Sequence, residues 1–169
     1  IDKNKKNNKA IFISSALERY SCKTHAWPAG ASQSYNYMNE HINFFKNLPN
    51  GIKKNFVFRI KRGIDDLFET NYSDRIKDNF KDIVIDFAEI PLNKVLNNYK
   101  LACITYNSVT ILQTLSSNFP TVIFWNDLNF ELNDESKKYF EILKDAKIFH
   151  TNYISASKHV NSIWNNIDS

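Results

Sequence analysis

The chain has 169 residues, of which 43% are hydrophobic and 14% aromatic, and its formal net charge is +4. This length suits one domain, and the hydrophobic content supports a sizeable core and excludes a disordered chain. So weak a basic balance gives no ground for predicting nucleic-acid binding, and no apolar stretch reaches the ~20 residues of a membrane-spanning helix.

The first nine residues are polar, and we interpret residues 1–9 as a linker in a piece cut from a longer protein. Residues 10–169 then form one predicted domain. Apolar, β-branched segments within it predict strands at 10–14, 56–60, 83–87, 101–106, 121–125 and 147–150. Most of them are continuous apolar runs rather than alternating ones, which is typical of parallel strands covered on both faces.

Helical periodicity lies between these strands, and a loop with a short helix at 73–80 is expected in the least regular region. The main helices are predicted at 31–48, 91–99, 108–118, 134–146 and 153–167. Apolar spacing places their inward faces on residues that include Tyr35, Val109, Leu112, Tyr139 and Ile154. The repeated order of strand and helix predicts an α/β fold with a doubly wound, mainly parallel six-stranded sheet and helices on both faces.

Several kinds of site are excluded by the residues available. Three glycines cannot form a GxGxxG or P-loop phosphate motif. The four histidines, two cysteines and the acids show neither metal-ligand spacing nor a Ser-His-Asp motif, so we predict no metal and no bound cofactor. Cys22 and Cys103 are interpreted as small buried hydrophobes in a reducing compartment.

Ligands of an open parallel sheet bind beyond the carboxyl ends of its strands, so candidate residues come from the loops that follow them. A long loop after the first strand carries Ser15, Arg19 and His25. The planar guanidinium of Arg19 suits a phosphate or carboxylate, and the alternative is an ordinary surface arginine. Such long loops in a compact domain are often functional.

The turn after strand 101–106 is the second candidate. Asn107 or Ser108 fits a helix N-cap, and Thr110 falls in the first helical turn. Hydroxyls and free backbone N–H groups at a helix start form an anion site, whereas the alternative is plain capping.

Two further features leave alternatives open. Arg59 lies inside a predicted buried strand, so either its head group emerges at the strand end or it pairs with an acid such as Asp86. His150 and His159 are more simply explained as structural residues than as functional ones.

A family resemblance extends these observations. Residues 105–125, TYNSVTILQTLSSNFPTVIFW, resemble the donor-binding segment of GT-B glycosyltransferases, in which a strand, a Ser/Thr turn, a helix and a strand follow one another. LERYS at 17–21, FELNDESKKYFEILKDAKIFH at 130–150 and SASKHVNSIW at 155–164 are similar, in order, to the C-terminal half of a family of bacterial surface-polysaccharide transferases. A related branch includes Kdo-transferring enzymes with CMP-linked donors.

The resemblance implies a Rossmann-like half of a two-domain GT-B enzyme, whose N-terminal domain is not in this chain. The donor phosphates would lie at the turn 107–110 and be neutralised by Arg19. Gln113 stands where the general pattern has Glu and would meet the ribose as a neutral group. Asn126 and Glu131 would meet the sugar or base. The residues implied to contact the donor are Ser15, Arg19, His25, Tyr106, Asn107, Ser108, Thr110, Gln113, Asn126 and Glu131.

The expected function is therefore donor binding in a glycosyltransferase that moves a sugar from a nucleotide-activated, CMP-type or other, donor to a cell-surface glycan acceptor. The catalytic residues stay unassigned, and the isolated domain is expected to be inactive. Its expected location is the cytoplasm, including the inner face of the membrane through peripheral association. The alternative, favoured by Gln113, is a catalytically inert Rossmann-like binding or regulatory module.

Overall fold

The computed structural model describes residues 8–15, 17, 31–60 and 72–167. Within them, one sheet contains β1 (Ala10–Ser14), β2 (Phe56–Ile60), β3 (Val84–Asp86), β4 (Leu101–Ile104), β5 (Thr121–Phe124) and β6 (Phe149–His150). Its strand order is β3-β2-β1-β4-β5-β6, and every neighbouring pair is parallel. The predicted six-stranded parallel sheet is confirmed, and its order is that of a Rossmann-like fold.

Helices cover both faces of the sheet. They are α1 (Ala31–Lys46), α2 (Asn50–Lys53), α3 (Tyr72–Asn79), α4 (Leu92–Val95), α5 (Val109–Ser116), α6 (Asp134–Asp145) and α7 (Tyr153–Ile163), with a 3-10 turn at Leu96–Asn98. Residues of α1, α2, α3 and α7 pack on one face, and residues of α4, α5 and α6 pack on the other.

The alternation of β1 divides the core into two parts. Phe12 faces α1, and its ring centroid lies 4.8 Å from that of Phe45 and 5.1 Å from that of Phe58. Ile11 and Ile13 face the opposite side. Because both faces of this strand are buried, its sequence is a continuous apolar run rather than an alternating one.

Cys103 lies in β4 and is fully buried, and burial raises the pKa of its thiol. It behaves as the small buried hydrophobe that the sequence predicts.

The predicted inward face of α5 is wrong. Val109 and Leu112 are 67% and 66% exposed, whereas Ile111 and Thr114 are buried. Both pairs are spaced i, i+3, so periodicity alone does not choose between them. Thr114 fits inside because its hydroxyl donates to the Ile111 carbonyl at 3.1 Å. The same kind of error applies to three other residues predicted to face inward, which are exposed: Tyr35, Tyr139 and Ile154.

The structure decides between the two explanations of Arg59. Its Nη1 donates to Oδ2 of Asp86 at 2.5 Å, and its Nη2 donates to the carbonyl of Ile90. The side chain of Arg59 is 7% exposed and that of Asp86 is 27% exposed. The guanidinium is therefore paired in the interior rather than extended to the surface.

Candidate functional site

The middle of the sheet contains a topological switch point. The chain leaves β1 towards α1 on one face, and it leaves β4 towards α5 on the opposite face. In open parallel sheets this divergence opens a crevice beyond the carboxyl ends of the two strands, where ligands bind. Ser15 and Tyr106 follow these ends, so the structure brings these two predicted site residues to the same edge.

A buried hydrogen-bond chain joins the two strand ends below this crevice. Thr105 Oγ1 donates to the Ile13 carbonyl at 3.2 Å, so its single hydrogen is used there. The Tyr37 hydroxyl, 2.8 Å from Thr105 Oγ1, must then donate to it, and it accepts from the Ser15 backbone N–H at 3.3 Å. Each polar group in this series of hydrogen bonds has a partner, as burial requires.

The groups beneath the crevice are neutral near pH 7. Burial raises the pKa of Tyr37 to about 12, and burial lowers the pKa of His41 to about 3. His41 Nδ1 is hydrogen-bonded to the Tyr72 hydroxyl, and its ring lies among aromatic rings that include Phe12. The floor is therefore a structural layer without charge, and His41 is unsuited to exchange protons with a ligand.

Helix α5 begins just after the end of β4, at this switch point. Ser108 is its N-cap, and Ser108 Oγ accepts from the Thr110 N–H at 3.2 Å. Ser108 therefore acts as an ordinary N-cap of α5. Among the described residues, none accepts the backbone N–H of Val109, and Asn107 is exposed. The Tyr106 hydroxyl lies 3.5 Å from Thr110 Oγ1, which adds a second hydroxyl to this turn.

Gln113 lies farther along α5. Its side chain is exposed, and its carbonyl accepts from the hydroxyls of Ser116 and Ser117 at 3.3 and 2.8 Å. The helix turns Gln113 towards the same outer side as the exposed Val109.

Asn126 and Glu131 do not share a site. Asn126 begins a tight turn in which its Oδ1 accepts from the Leu128 N–H at 3.0 Å, and it faces α1. Glu131 is exposed and lines a separate depression of about 340 Å³ beside α6, together with Lys137 and Phe149. The two predicted ligand-binding residues therefore belong to different surfaces.

A polar pocket that the sequence did not predict lies between α1 and the loop after β5. The pocket has a volume of about 210 Å³ and is lined by Asn36, Asn39, Glu40, Asn43, Asn126, Leu128 and Asn129. Its signal in the sequence was the spacing of the three asparagines of α1 at i, i+3 and i+7, which places them on one helix face. We call it the asparagine pocket.

Arg19 and His25 lie outside the described residues, as does Cys22. No group of three or more His, Cys, Asp or Glu side chains in the described part of the chain is arranged to hold a metal ion. Of the helices in the same ranges, none is both long and apolar enough to cross a membrane.

Comparison with known proteins adds the family. A family model described as LIC12162 family transferase matches residues 1–169. No curated protein matches the chain. The predicted relationship to transferases is confirmed at the level of the family. The assignment to one half of a GT-B enzyme and the link to Kdo transfer stay predictions.

Proposed function

The chain belongs to the LIC12162 family of transferases, and from this membership we propose that it binds a nucleotide-sugar donor for glycosyl transfer. The observation that carries the proposal is the strand order β3-β2-β1-β4-β5-β6, which has its topological switch point between β1 and β4, the position where open parallel sheets generally bind ligands. This is the edge to which the resemblance to GT-B glycosyltransferases assigns the donor.

The chemistry of the crevice fits an anionic leaving group. Transfer of a sugar leaves negative charge on the nucleotide phosphate, and preorganised donors there lower the barrier. The start of α5 supplies the positive end of a helix dipole together with the Ser108 and Thr110 hydroxyls. In this proposal Arg19 adds the full positive charge, and Ser15, His25, Tyr106 and Asn107 complete the contacts.

The resemblance also implies roles for Gln113, Asn126 and Glu131. Gln113 would hydrogen-bond the ribose, and Asn126 and Glu131 would approach the sugar or base. The acceptor, a cell-surface glycan, would be held by a second domain, with transfer at the cytoplasmic side of the membrane. The donor nucleotide, including a CMP-linked one, is bound without a metal in this proposal.

A substitution that keeps the cap but introduces a negative charge tests the site. Asp is as good an N-cap as Ser, so Ser108→Asp is expected to preserve stability while its carboxylate repels phosphate. The matched control is Asn152→Asp at the N-cap of α7, whose side chain accepts from the Ser155 N–H. Calorimetry with CMP, UDP and GDP should show binding lost in Ser108→Asp and kept in Asn152→Asp. Equal affinity in both variants would refute the phosphate site.

A nucleotide screen tests the wider proposal. A ligand at ~100 times its Kd stabilises the folded state by ~2.7 kcal/mol, so the true nucleotide among CMP-, UDP- and GDP-linked sugars should raise the Tm clearly. Arg19→Ala should abolish this shift, and an unchanged affinity would remove Arg19 from the site.

The second candidate is a catalytically inert Rossmann-like module. The exposed, neutral Gln113 favours it, because a Glu would give a stronger, charge-assisted bond to a ribose hydroxyl. The absence of a thermal shift with every nucleotide would support this candidate over the donor-binding domain.

A further inference from the structure

The asparagine pocket has an unusual chemical composition. Five of its lining side chains are carboxamides, one is the carboxylate of Glu40, and one is the apolar Leu128. Carboxamides both donate and accept hydrogen bonds, whereas a carboxylate only accepts. Among the described residues, no lysine, arginine or histidine lines it. A phosphate is therefore disfavoured, and a single carboxylate is too few for a metal site.

Part of this polar set is already in position. Asn129 is 8% exposed, and its Nδ2 donates to Glu40 Oε2 at 3.0 Å. The Asn126 side chain also hydrogen-bonds Glu40, while partial burial raises the pKa of that carboxyl. The loop itself is held to α1, because Gln33 Nε2 donates to the Leu128 carbonyl at 2.6 Å. The Glu40 carboxylate, the hydrogen-bond acceptor of the pocket, is thus held in position before any ligand binds.

The remaining amides are available. No hydrogen bond within the described part of the chain engages the side-chain amides of Asn36, Asn39 or Asn43. They lie on one face of α1, next to Glu40. Leu128 is 74% exposed at the pocket rim and offers an apolar surface beside these polar groups.

These observations fit a ligand with many hydroxyls and some exposed C–H groups. A hydroxyl both donates and accepts, so it matches carboxamides better than a group with one role only. The cavity of about 210 Å³ is smaller than the ~300–1,000 Å³ of most ligand sites, so it suits one ring rather than a whole nucleotide sugar. Glu40 disfavours ligands that carry a carboxylate, because the lining that the structure describes contains no cation to offset its charge.

We propose that the asparagine pocket binds one neutral sugar ring through its hydroxyls. The proposal deepens the proposed function, on which it rests for its biological sense, by making the pocket the sugar subsite of this chain. Two sources present the same chemistry: the sugar of the donor, or a residue of the acceptor glycan.

The test uses the full chain labelled with ¹⁵N and followed by NMR. The probes are D-glucose, D-galactose, D-mannose and N-acetylglucosamine, with D-glucuronate as the acidic counterpart of glucose. At least one neutral sugar should shift the side-chain amide signals of Asn36, Asn39 and Asn129 in a saturable way, and glucuronate should not. If no neutral sugar shifts them, or if glucuronate shifts them equally, the proposal is wrong.

Variants establish the location. Asn36→Ala, Asn39→Ala and Glu40→Gln should each weaken binding of the active sugar about tenfold, the value of one lost hydrogen bond to a ligand. The matched control is Asn161→Ala, an exposed asparagine on α7 away from the pocket. An equal loss in Asn161→Ala, or no loss in the pocket variants, would overturn the assignment.

Two arms separate the sources. If the sugar belongs to the donor, Asn39→Ala weakens binding of the nucleotide sugar but not of the matching nucleotide without the sugar. If it belongs to the acceptor, Asn39→Ala weakens binding of the methyl glycoside and leaves the nucleotide sugar unaffected. If the phosphate site is wrong, Ser108→Asp keeps its affinity for the nucleotide. If the sugar pocket is wrong, the pocket variants keep their affinity for the sugar, so the two failures are distinguishable.

Discussion

The hydroxyl of Tyr37 lies 2.8 Å from Oγ1 of Thr105, and this contact links helix α1 to the end of β4. The same hydroxyl accepts from the N–H of Ser15 at the end of β1. One side chain thereby connects α1 to the ends of both strands, which their own ladder already holds side by side. Its removal should affect both stability and ligand binding.

Tyr37→Phe is expected to lower the free energy of unfolding by about 1–3 kcal/mol, because both buried hydrogen bonds of the Tyr37 hydroxyl, with Thr105 and with the Ser15 N–H, are lost. Urea denaturation measures this change. The control is Tyr35→Phe on the same helix, where the side chain is 58% exposed and the change should be negligible. Equal effects of the two substitutions would contradict the role given to the Tyr37 hydroxyl.

Alkaline pH should destabilise the protein through the same residue. Burial raises the pKa of Tyr37 from 10.0 to about 12, so above pH 10 the unfolded state loses a proton that the folded state keeps. Stability is then fully present below pH 10 and is lost as the pH rises towards 12. Unfolding free energies measured across this window should fall less steeply in Tyr37→Phe. Parallel curves for the two proteins would refute the prediction.

Acid pH should act through His41. Its pKa is lowered from 6.5 to about 3 by burial, so below pH 6.5 the unfolded state takes up a proton that the folded state refuses. The contribution to stability is present above pH 6.5 and disappears as the pH falls towards 3. His41→Gln removes the titration, and it should flatten the acid limb of a stability curve whatever its effect at neutral pH. The acid slope of His159→Gln, at a partly exposed position, should stay closer to that of the unmodified protein.

The Arg59–Asp86 pair gives a prediction about buried charge. Asp86→Asn leaves the guanidinium without its counter-charge, and we expect a loss towards the lower end of ~3–5 kcal/mol, because Asp86 is 27% exposed. Chemical denaturation checks the value. Asp134→Asn, which breaks a fully exposed pair with Lys137, should leave stability essentially unchanged. The double substitution Arg59→Met with Asp86→Leu should recover most of the loss, and no recovery would argue against an unpaired charge as its cause.

The strands of this fold are predictable because burial on both faces requires an uninterrupted apolar run, as in Leu101–Ile104. The helix faces are less so. In α5 the exposed pair Val109 and Leu112 has the same spacing as the buried pair Ile111 and Thr114, and only contact with the sheet decides between them. Arg59 shows a similar limit, since its partner Asp86 lies on another strand, and the register of β2 with β3 brings the two together.

The residues of the candidate site likewise include some that the sequence predicts and some that it does not. The turn at Ser108 could be predicted, because N-capping is a local property of sequence. Tyr37 and Glu40 could not, because their roles depend on how α1 packs against the ends of strands far away in the chain. Glu131 was grouped with Asn126 because both follow β5, but the turn between them directs the two side chains to different surfaces.

The central position of β1 also has a kinetic consequence. Its partner β2 follows soon after it in the chain, but Ile13 bonds Thr105 across a separation of 92 residues. During synthesis one flank of this apolar strand must therefore wait, with its backbone groups unpaired, until β4 leaves the ribosome. Such long-range parallel pairing slows folding and leaves an unpaired, aggregation-prone strand edge exposed to neighbouring molecules. Refolding yield should accordingly fall as protein concentration rises, and early capture of the nascent chain by a chaperone should restore it.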